Sequence, residues 1–130
     1  MIGLDSNVLV RFLIRDDEAQ ALRAARLIAA GGGGGSFVSI AALLETVWTL
    51  KRTYGFERSA IVTTLEKLLS TDEFVLEGVV HVRSALIAFA ASSADFADAL
   101  IGEINRAAGC SSTATFDRKA ARLAGFSRVP

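Results

Sequence analysis

Residues 1–10 read MIGLDSNVLV, and the fifth of them decides how the rest of the chain is read. Asp5 separates one apolar run, Met1 to Leu4, from another, Val8 to Val10. A carboxylate in such a place costs several kcal/mol unless it is solvated, paired or bound to a cation. The first run is short enough to be a buried strand, and Ser6 and Asn7 are good residues to open a helix through about Arg15. Asp5 therefore sits where a strand turns into a helix. That is where open parallel sheets gather their active sites.

Working outward, the same alternation recurs. The spacing of Ala21, Leu22, Ala25, Leu27, Ile28 and Ala29 predicts a helix over Glu18 to Ala30, ending at the glycine run Gly31 to Gly35. That run lacks the lysine and Ser/Thr of a phosphate-cradling loop and reads as a flexible loop tip. Phe37 to Ser39 reads as a second strand, and Ile40 to about Thr53 as a helix with Ile40, Leu43, Leu44, Val47 and Trp48 on its apolar face. This spacing places Trp48 in the core. A further helix is expected over Glu57 to Leu69 and a third strand over Phe74 to Leu76. Helices over Val79 to Ala91 and Phe96 to Ala108 follow. Cys110 to Thr115 reads as a strand, Asp117 to Ala124 as a helix closed by Gly125, and Ser127 to Val129 as a last strand. Short apolar strands alternating with helices predict an α/β fold, a three-layer α/β/α sandwich around a short, mostly parallel sheet.

The chain has 130 residues, 52% of them hydrophobic and 22% charged, which suits one compact domain spanning 1–130. The longest uncharged segment, Leu27 to Leu44, is broken by the glycines, so no membrane span is expected. No basic start leads into an apolar signal core, because Asp5, Arg11, Arg15, Asp16 and Asp17 come too early. Cys110 is the only cysteine, which removes an intrachain disulfide and a thiolate zinc cluster and fits a cytoplasmic protein. It is read as a small buried apolar residue. His81, amid valines, is read as an ordinary, partly exposed residue.

Four acids fall at or near strand-to-helix turns. Asp5 follows the first strand and Asp117 ends the segment TATFD after the fourth; Glu45, in LLETVW, lies in the second turn of its helix, and Asp98, in ADFADALI, in the first turn of its own. Aspartates at helix starts are often caps or dipole partners, which accounts equally well for Asp5, Asp95, Asp98 and Asp117. Asp95 fits that account best, with Asp98 as its capping-box partner. Glu45 does not fit it. It is too deep in its helix to cap, and Ala41, Ala42, Trp48 and Thr49 at the neighbouring helical positions offer it no cation. Carboxylates gathered at one site repel one another unless a cation neutralises them. With no His or Cys in these segments, the cation of choice is the hard, oxygen-seeking Mg²⁺ or Mn²⁺.

Taken in order, LDSNVLVRFL, LLETVWTL, DFADALI and TFDRKAARLAGF make the chain resemble the PIN-domain ribonucleases, and among them the VapC toxins of bacterial toxin–antitoxin pairs. The resemblance runs from Ile2 to Phe126. It implies an acidic site of Asp5, Glu45, Asp98 and Asp117, with Asp95 beside it and Ser6 and Thr115 as hydroxyl contributors. It also implies that Asn7 braces the site. The implied activity is metal-dependent cleavage of RNA by an endoribonuclease, with Asp5, Asp98 and Asp117 as Mg²⁺ or Mn²⁺ ligands and Glu45 orienting the attacking water. The implied partners are an RNA substrate, a cognate VapB-like antitoxin and a second copy of the chain in a homodimer.

Charge agrees with an anionic substrate. The net charge is zero, but setting aside Asp5, Glu45, Asp95, Asp98 and Asp117 leaves nine acids against fourteen Lys and Arg. Arg11 and Lys51 are the basic residues read as substrate contacts, and Trp48 and Tyr54 are weighed as platforms for bases. The alternative is a catalytically inactive module of the same fold that binds RNA or protein. A phosphoacceptor domain is disfavoured because no lysine follows Lys119, and a haloacid-dehalogenase-like phosphatase because Asn7 stands where its second aspartate belongs.

Overall fold

The computed structural model describes residues 1–130, of Gly32 the backbone alone. The chain divides into two compact units, Met1–Val79 and Val80–Pro130.

The first unit is built on three short parallel strands in the order β1 (Ile2–Gly3), β2 (Ser36–Val38), β3 (Phe74–Leu76). The register pairs Ile2 with Ser36 and Ser36 with Phe74. Backbone bonds extend the ladder past the strand ends: Leu4 N–H donates to Phe37 O at 2.9 Å and Glu77 N–H to Val38 O at 2.9 Å. Between the strands run α1 (Ser6–Leu13), α2 (Glu18–Ala29), α3 (Ile40–Arg52) and α4 (Arg58–Leu69). Helices are expected between parallel strands, because each crossover must carry the chain back to the end of the sheet where the previous strand began.

Local chemistry fixes the helix starts. Asp17 Oδ1 accepts Gln20 N–H at 3.0 Å and Ser39 Oγ accepts Ala42 N–H at 3.1 Å, each satisfying a donor that the first turn leaves open, for about 1 kcal/mol apiece. α1 packs on α2 and α3. Leu9, Leu43, Leu50, Leu65 and Leu68 are fully buried, each a contribution of about 1.5–3 kcal/mol from apolar surface removed from water. The Thr46 hydroxyl, also buried, donates to Ala42 O at 2.7 Å and so costs little.

The second unit carries the greater part of α5 (Val79–Ala90), then α6 (Phe96–Ala107) and the parallel pair β4 (Thr113–Thr115) and β5 (Phe126–Arg128). Its core holds Val82, Phe89, Phe96 and Leu100, with Phe89 and Phe96 meeting edge to face at 5.9 Å. The α/β class read from the sequence holds, with parallel strands and intervening helices. Among the described residues no helix is long and apolar enough to cross a membrane.

Five expectations are corrected. The first strand, read as buried, is exposed at both Ile2 and Gly3, and of that run only Leu4 is buried. Trp48 is 60% exposed, because α3 buries the strip Ala42, Leu43, Thr46, Val47 and Leu50, and Trp48 projects from the other side with Arg52 stacked 5.8 Å over its ring. Cys110 is exposed, three residues before β4 begins. The helix expected over Asp117 to Ala124 is a single 3-10 turn, Ala120–Arg122, ended by extended Leu123. The glycine run ends in close packing where a loose tip was expected. Gly35 takes φ +72°, and a Cβ there would lie 2.9 Å from Glu73 O, so only glycine lets this segment enter β2 beside β3.

Candidate active site

In the first unit, Asp5 lies one residue beyond the Leu4–Phe37 bond and is the N-cap of α1. Its Oδ1 accepts Ser6 N–H at 2.7 Å and the Ser6 hydroxyl at 3.4 Å. The capping account is thus half right. One carboxylate oxygen is used and the other, Oδ2, has no protein donor among the described residues. Ser6 is buried, and its hydroxyl braces Asp5. Asn7 is exposed and faces a cleft of about 660 Å³ between α1 and α2, lined also by Val8, Arg11, Gln20 and Leu27. It makes no side-chain hydrogen bond among the described residues, so no brace to Asp5 is seen.

Glu45 is exposed on the outer strip of α3, one turn before Trp48. Its side chain has no hydrogen bond or ion pair among the described residues, and only its backbone oxygen is engaged, by the Thr49 hydroxyl at 2.9 Å. The start of its helix is held by a residue that the sequence reading did not single out. Glu77, just past β3, accepts Ile40 N–H on Oε1 at 2.7 Å, so the end of one strand fixes where α3 begins. An acid at a helix N-terminus is favourable on dipole grounds as well. The available signal was an acid following a strand, the same signal that marked Asp5.

In the second unit, Asp98 occupies the third position of α6. Burial pushes its carboxyl above the ordinary aspartate range. The charges of Asp95 and Asp117 push it further, against a hydrogen bond from the Asp95 backbone N–H. That bond is one half of the expected capping box; the other half is absent, since Asp95 as N-cap makes no side-chain bond to α6. Asp117 Oδ1 accepts Ala120 N–H at 2.8 Å, and Asp117 N–H donates to the Thr115 hydroxyl at 3.0 Å. As with Asp5, one oxygen serves the backbone and the other remains. The structure therefore brings Asp95, Asp98, Asp117 and Thr115 into one electrostatic neighbourhood, and separately joins Asp5 to Ser6. Among the described residues no hydrogen bond links Asp5 with Glu45.

Arg11, read as a substrate contact, is engaged within the fold. Arg11 donates from Nε to Gln20 Oε1 at 2.6 Å and from a terminal nitrogen to Asp16 Oδ1 at 2.8 Å, while the Tyr54 hydroxyl donates to Asp16 Oδ2 at 3.0 Å. This network ties α1, the start of α2 and the segment after α3 together. Lys51 is exposed in the last turn of α3. Missed by the sequence reading was Phe116, between Thr115 and Asp117 and 79% exposed.

Oxygen-only donors with uncompensated repulsion suit a hard divalent ion. Among the described residues, no group of three or more His, Cys, Asp or Glu stands close enough to hold a metal ion. The fit is in donor chemistry and charge.

No curated protein matches the chain. Among solved structures, it is similar to the crystal structure of the Mycobacterium tuberculosis toxin VapC20, described as cleaving the sarcin-ricin loop. Identity is 22%, the match covers 99% of this chain and 98% of that one, and the TM-score is 0.46. A family model for the PIN domain matches residues 2–126, which take in all four acids singled out above, and the chain belongs to the PIN domain family.

Proposed function

We propose that the chain is a metal-dependent endoribonuclease that hydrolyses RNA phosphodiester bonds, the toxin of a VapBC-type pair. The observation that carries this is the state of its acids: Asp5 and Asp117, each on the turn after a parallel strand, spend one carboxylate oxygen on the backbone and leave the other for a ligand. Family membership across 2–126 supports treating 1–130 as one functional domain. Asp5, Asp98 and Asp117 are the residues that would hold Mg²⁺ or Mn²⁺. A bound divalent ion supplies a water of lowered pKa and stabilises negative charge on the attacking and leaving oxygens.

The protein's own part is positioning. Ser6 and the Asp5 cap hold one carboxylate at the tip of β1, and Thr115 and the Ala120 N–H hold another beyond β4. Glu45, whose side chain has no partner among the described residues, orients the water that attacks phosphorus. Asp95 adds negative charge beside Asp98. The oxygen displaced from phosphorus leaves with a proton, and no side-chain nucleophile is needed. A VapB-like antitoxin as partner, a homodimer and a cytoplasmic location complete the proposal.

A second reading, a catalytically inactive PIN-fold module that binds RNA or protein, is favoured by the lack of a three-carboxylate group close enough to hold a metal ion among the described residues. One experiment separates the two. Incubate a pool of structured RNAs with the protein and with Asp5→Asn, with Mg²⁺, Mn²⁺ or a chelator. The expected result is cleavage at few sites, lost in the variant and in the chelator. Equal cleavage by both proteins removes the proposed site, and no cleavage by either favours the inactive module.

A further inference from the structure

Among the exposed large apolar side chains of the described residues, Phe116 is the most exposed, at 79%. It is not on a loose segment. Thr115 is paired in β4 and accepts Asp117 N–H on its hydroxyl, and Ala121 N–H donates to Asp117 O at 3.0 Å. The backbone on both sides of the ring is therefore fixed, and the ring projects from an ordered turn one residue before a proposed metal ligand. Directly after that ligand come Arg118 and Lys119. Both are exposed, and neither side chain has a hydrogen bond or ion pair among the described residues. No ring contact occupies Phe116 either.

An aromatic face held open beside unpaired cations is the combination that binds single-stranded nucleic acid: the ring stacks on a base and the cations take the adjacent phosphates. Because the turn is already ordered, stacking immobilises little that was free, which favours binding. A single ring framed by an acid and two cations is a poor surface for an apolar protein partner, which wants a contiguous patch. We propose that Phe116 is a substrate-positioning residue, the platform on which an unpaired RNA base next to the cleaved bond stacks, with Arg118 and Lys119 contacting the flanking phosphates. This rests on the nuclease reading for its placement beside the reaction, though not for the binding itself.

The test uses the full chain carrying Asp5→Asn, so that RNA is not consumed, and a fluorescently labelled, unstructured RNA oligonucleotide with Mg²⁺ present. Phe116→Ala is expected to weaken binding about 10-fold or more, the scale of one lost base stack. Phe116→Trp should restore it and Phe116→Leu should not. Replacing Arg118 and Lys119 by alanine should flatten the dependence of affinity on salt. In the cleaving protein, Phe116→Ala should raise KM for single-stranded substrate with little change in kcat. Circular dichroism should show each variant folded, as expected for so exposed a side chain.

Unchanged binding in Phe116→Ala overturns the proposal. So does rescue by leucine, which would mark an apolar protein contact, and so does a wild-type chain that binds no RNA. If the wild type cleaves and Phe116→Ala cleaves with the same KM, this inference fails while the nuclease reading stands. If nothing is cleaved yet binding depends on the ring, the nuclease reading fails and the stacking site stands.

Discussion

The Thr115 hydroxyl accepts the backbone N–H of Asp117 at 3.0 Å, so the last residue of β4 sets the turn that presents the Asp117 carboxylate. Thr115→Val keeps the shape and removes the acceptor. The freed N–H is exposed to water, so the expected loss of stability is small, about 1 kcal/mol or less. The loss of RNA cleavage should be larger, because a misplaced ligand weakens the site. Thr115→Ser should keep both. Melting curves and cleavage rates measured together check this, and full activity in the valine variant would remove Thr115 from the site.

Asp98 yields a prediction about pH. Burial, then Asp95, then Asp117 raise its carboxyl above the unfolded value. The folded state therefore binds the proton more tightly than the unfolded state. The stability this contributes is fully present below the unfolded aspartate pKa and is lost as pH rises through the folded value. Near neutral pH the charged carboxylate works against the fold, and Asp98→Asn removes that charge. Without divalent metal the variant is expected to melt higher than wild type at neutral pH, the gap closing on acidification. Millimolar Mg²⁺ should raise the melting temperature of the wild type and leave the variant unmoved. Thermal melts over a pH series, with and without Mg²⁺, read both effects.

Much of this was legible in the chain because burial imposes periodicity. Phe74–Leu76 is the strand predicted, and α3 ends within one residue of its predicted end, since its apolar residues recur at helical spacing. Asp5 and Asp117 were singled out by position alone, and each does lie on the turn after a strand. What periodicity could not settle was which of two apolar strips on α3 faces inward: Leu44 and Trp48 form one, and Leu43, Val47 and Leu50 the other, and the second is the buried one. The segment after Asp117 misled for a related reason. Its alanines favour helix, but extended Leu123 and the positive φ of Gly125 end the turn at once. Glu77 escaped notice because its bond to Ile40 joins residues far apart in sequence and follows no repeat.

The Arg11–Asp16–Tyr54 network makes its own prediction. The Tyr54 hydroxyl bond holds the Asp16 carboxyl below its ordinary range, with the Arg11 charge acting the same way against some desolvation. A carboxyl lowered in the folded state contributes stability above its unfolded pKa, and loses it as pH falls through the folded value. Tyr54→Phe is expected to lower the melting temperature at neutral pH, with the difference from wild type shrinking in acid. RNA affinity should be nearly unchanged, because the hydroxyl is already committed within the fold. A large loss of RNA binding in a well-folded Tyr54→Phe protein would restore Tyr54 as a substrate contact.

Two adjacent residues at the entrance to β2 should respond to alanine with opposite signs. Ser36 is 1% exposed, and its hydroxyl has no hydrogen-bond partner among the described residues. A buried hydroxyl left unpaired costs about 1–3 kcal/mol, so Ser36→Ala removes a liability and should stabilise by on the order of 1 kcal/mol, less any loss from the small void. Gly35 has φ +72°, and a Cβ there would meet the Glu73 carbonyl oxygen at 2.9 Å. That oxygen belongs to backbone and already accepts Ser36 N–H at 2.7 Å, so it cannot retreat without loosening the β2–β3 ladder. Gly35→Ala is therefore expected to cost about 1–3 kcal/mol. Urea denaturation of the two variants decides the matter. If Ser36→Ala is as damaging as Gly35→Ala, the Ser36 hydroxyl has a partner, such as a buried water, that sustains this corner of the sheet.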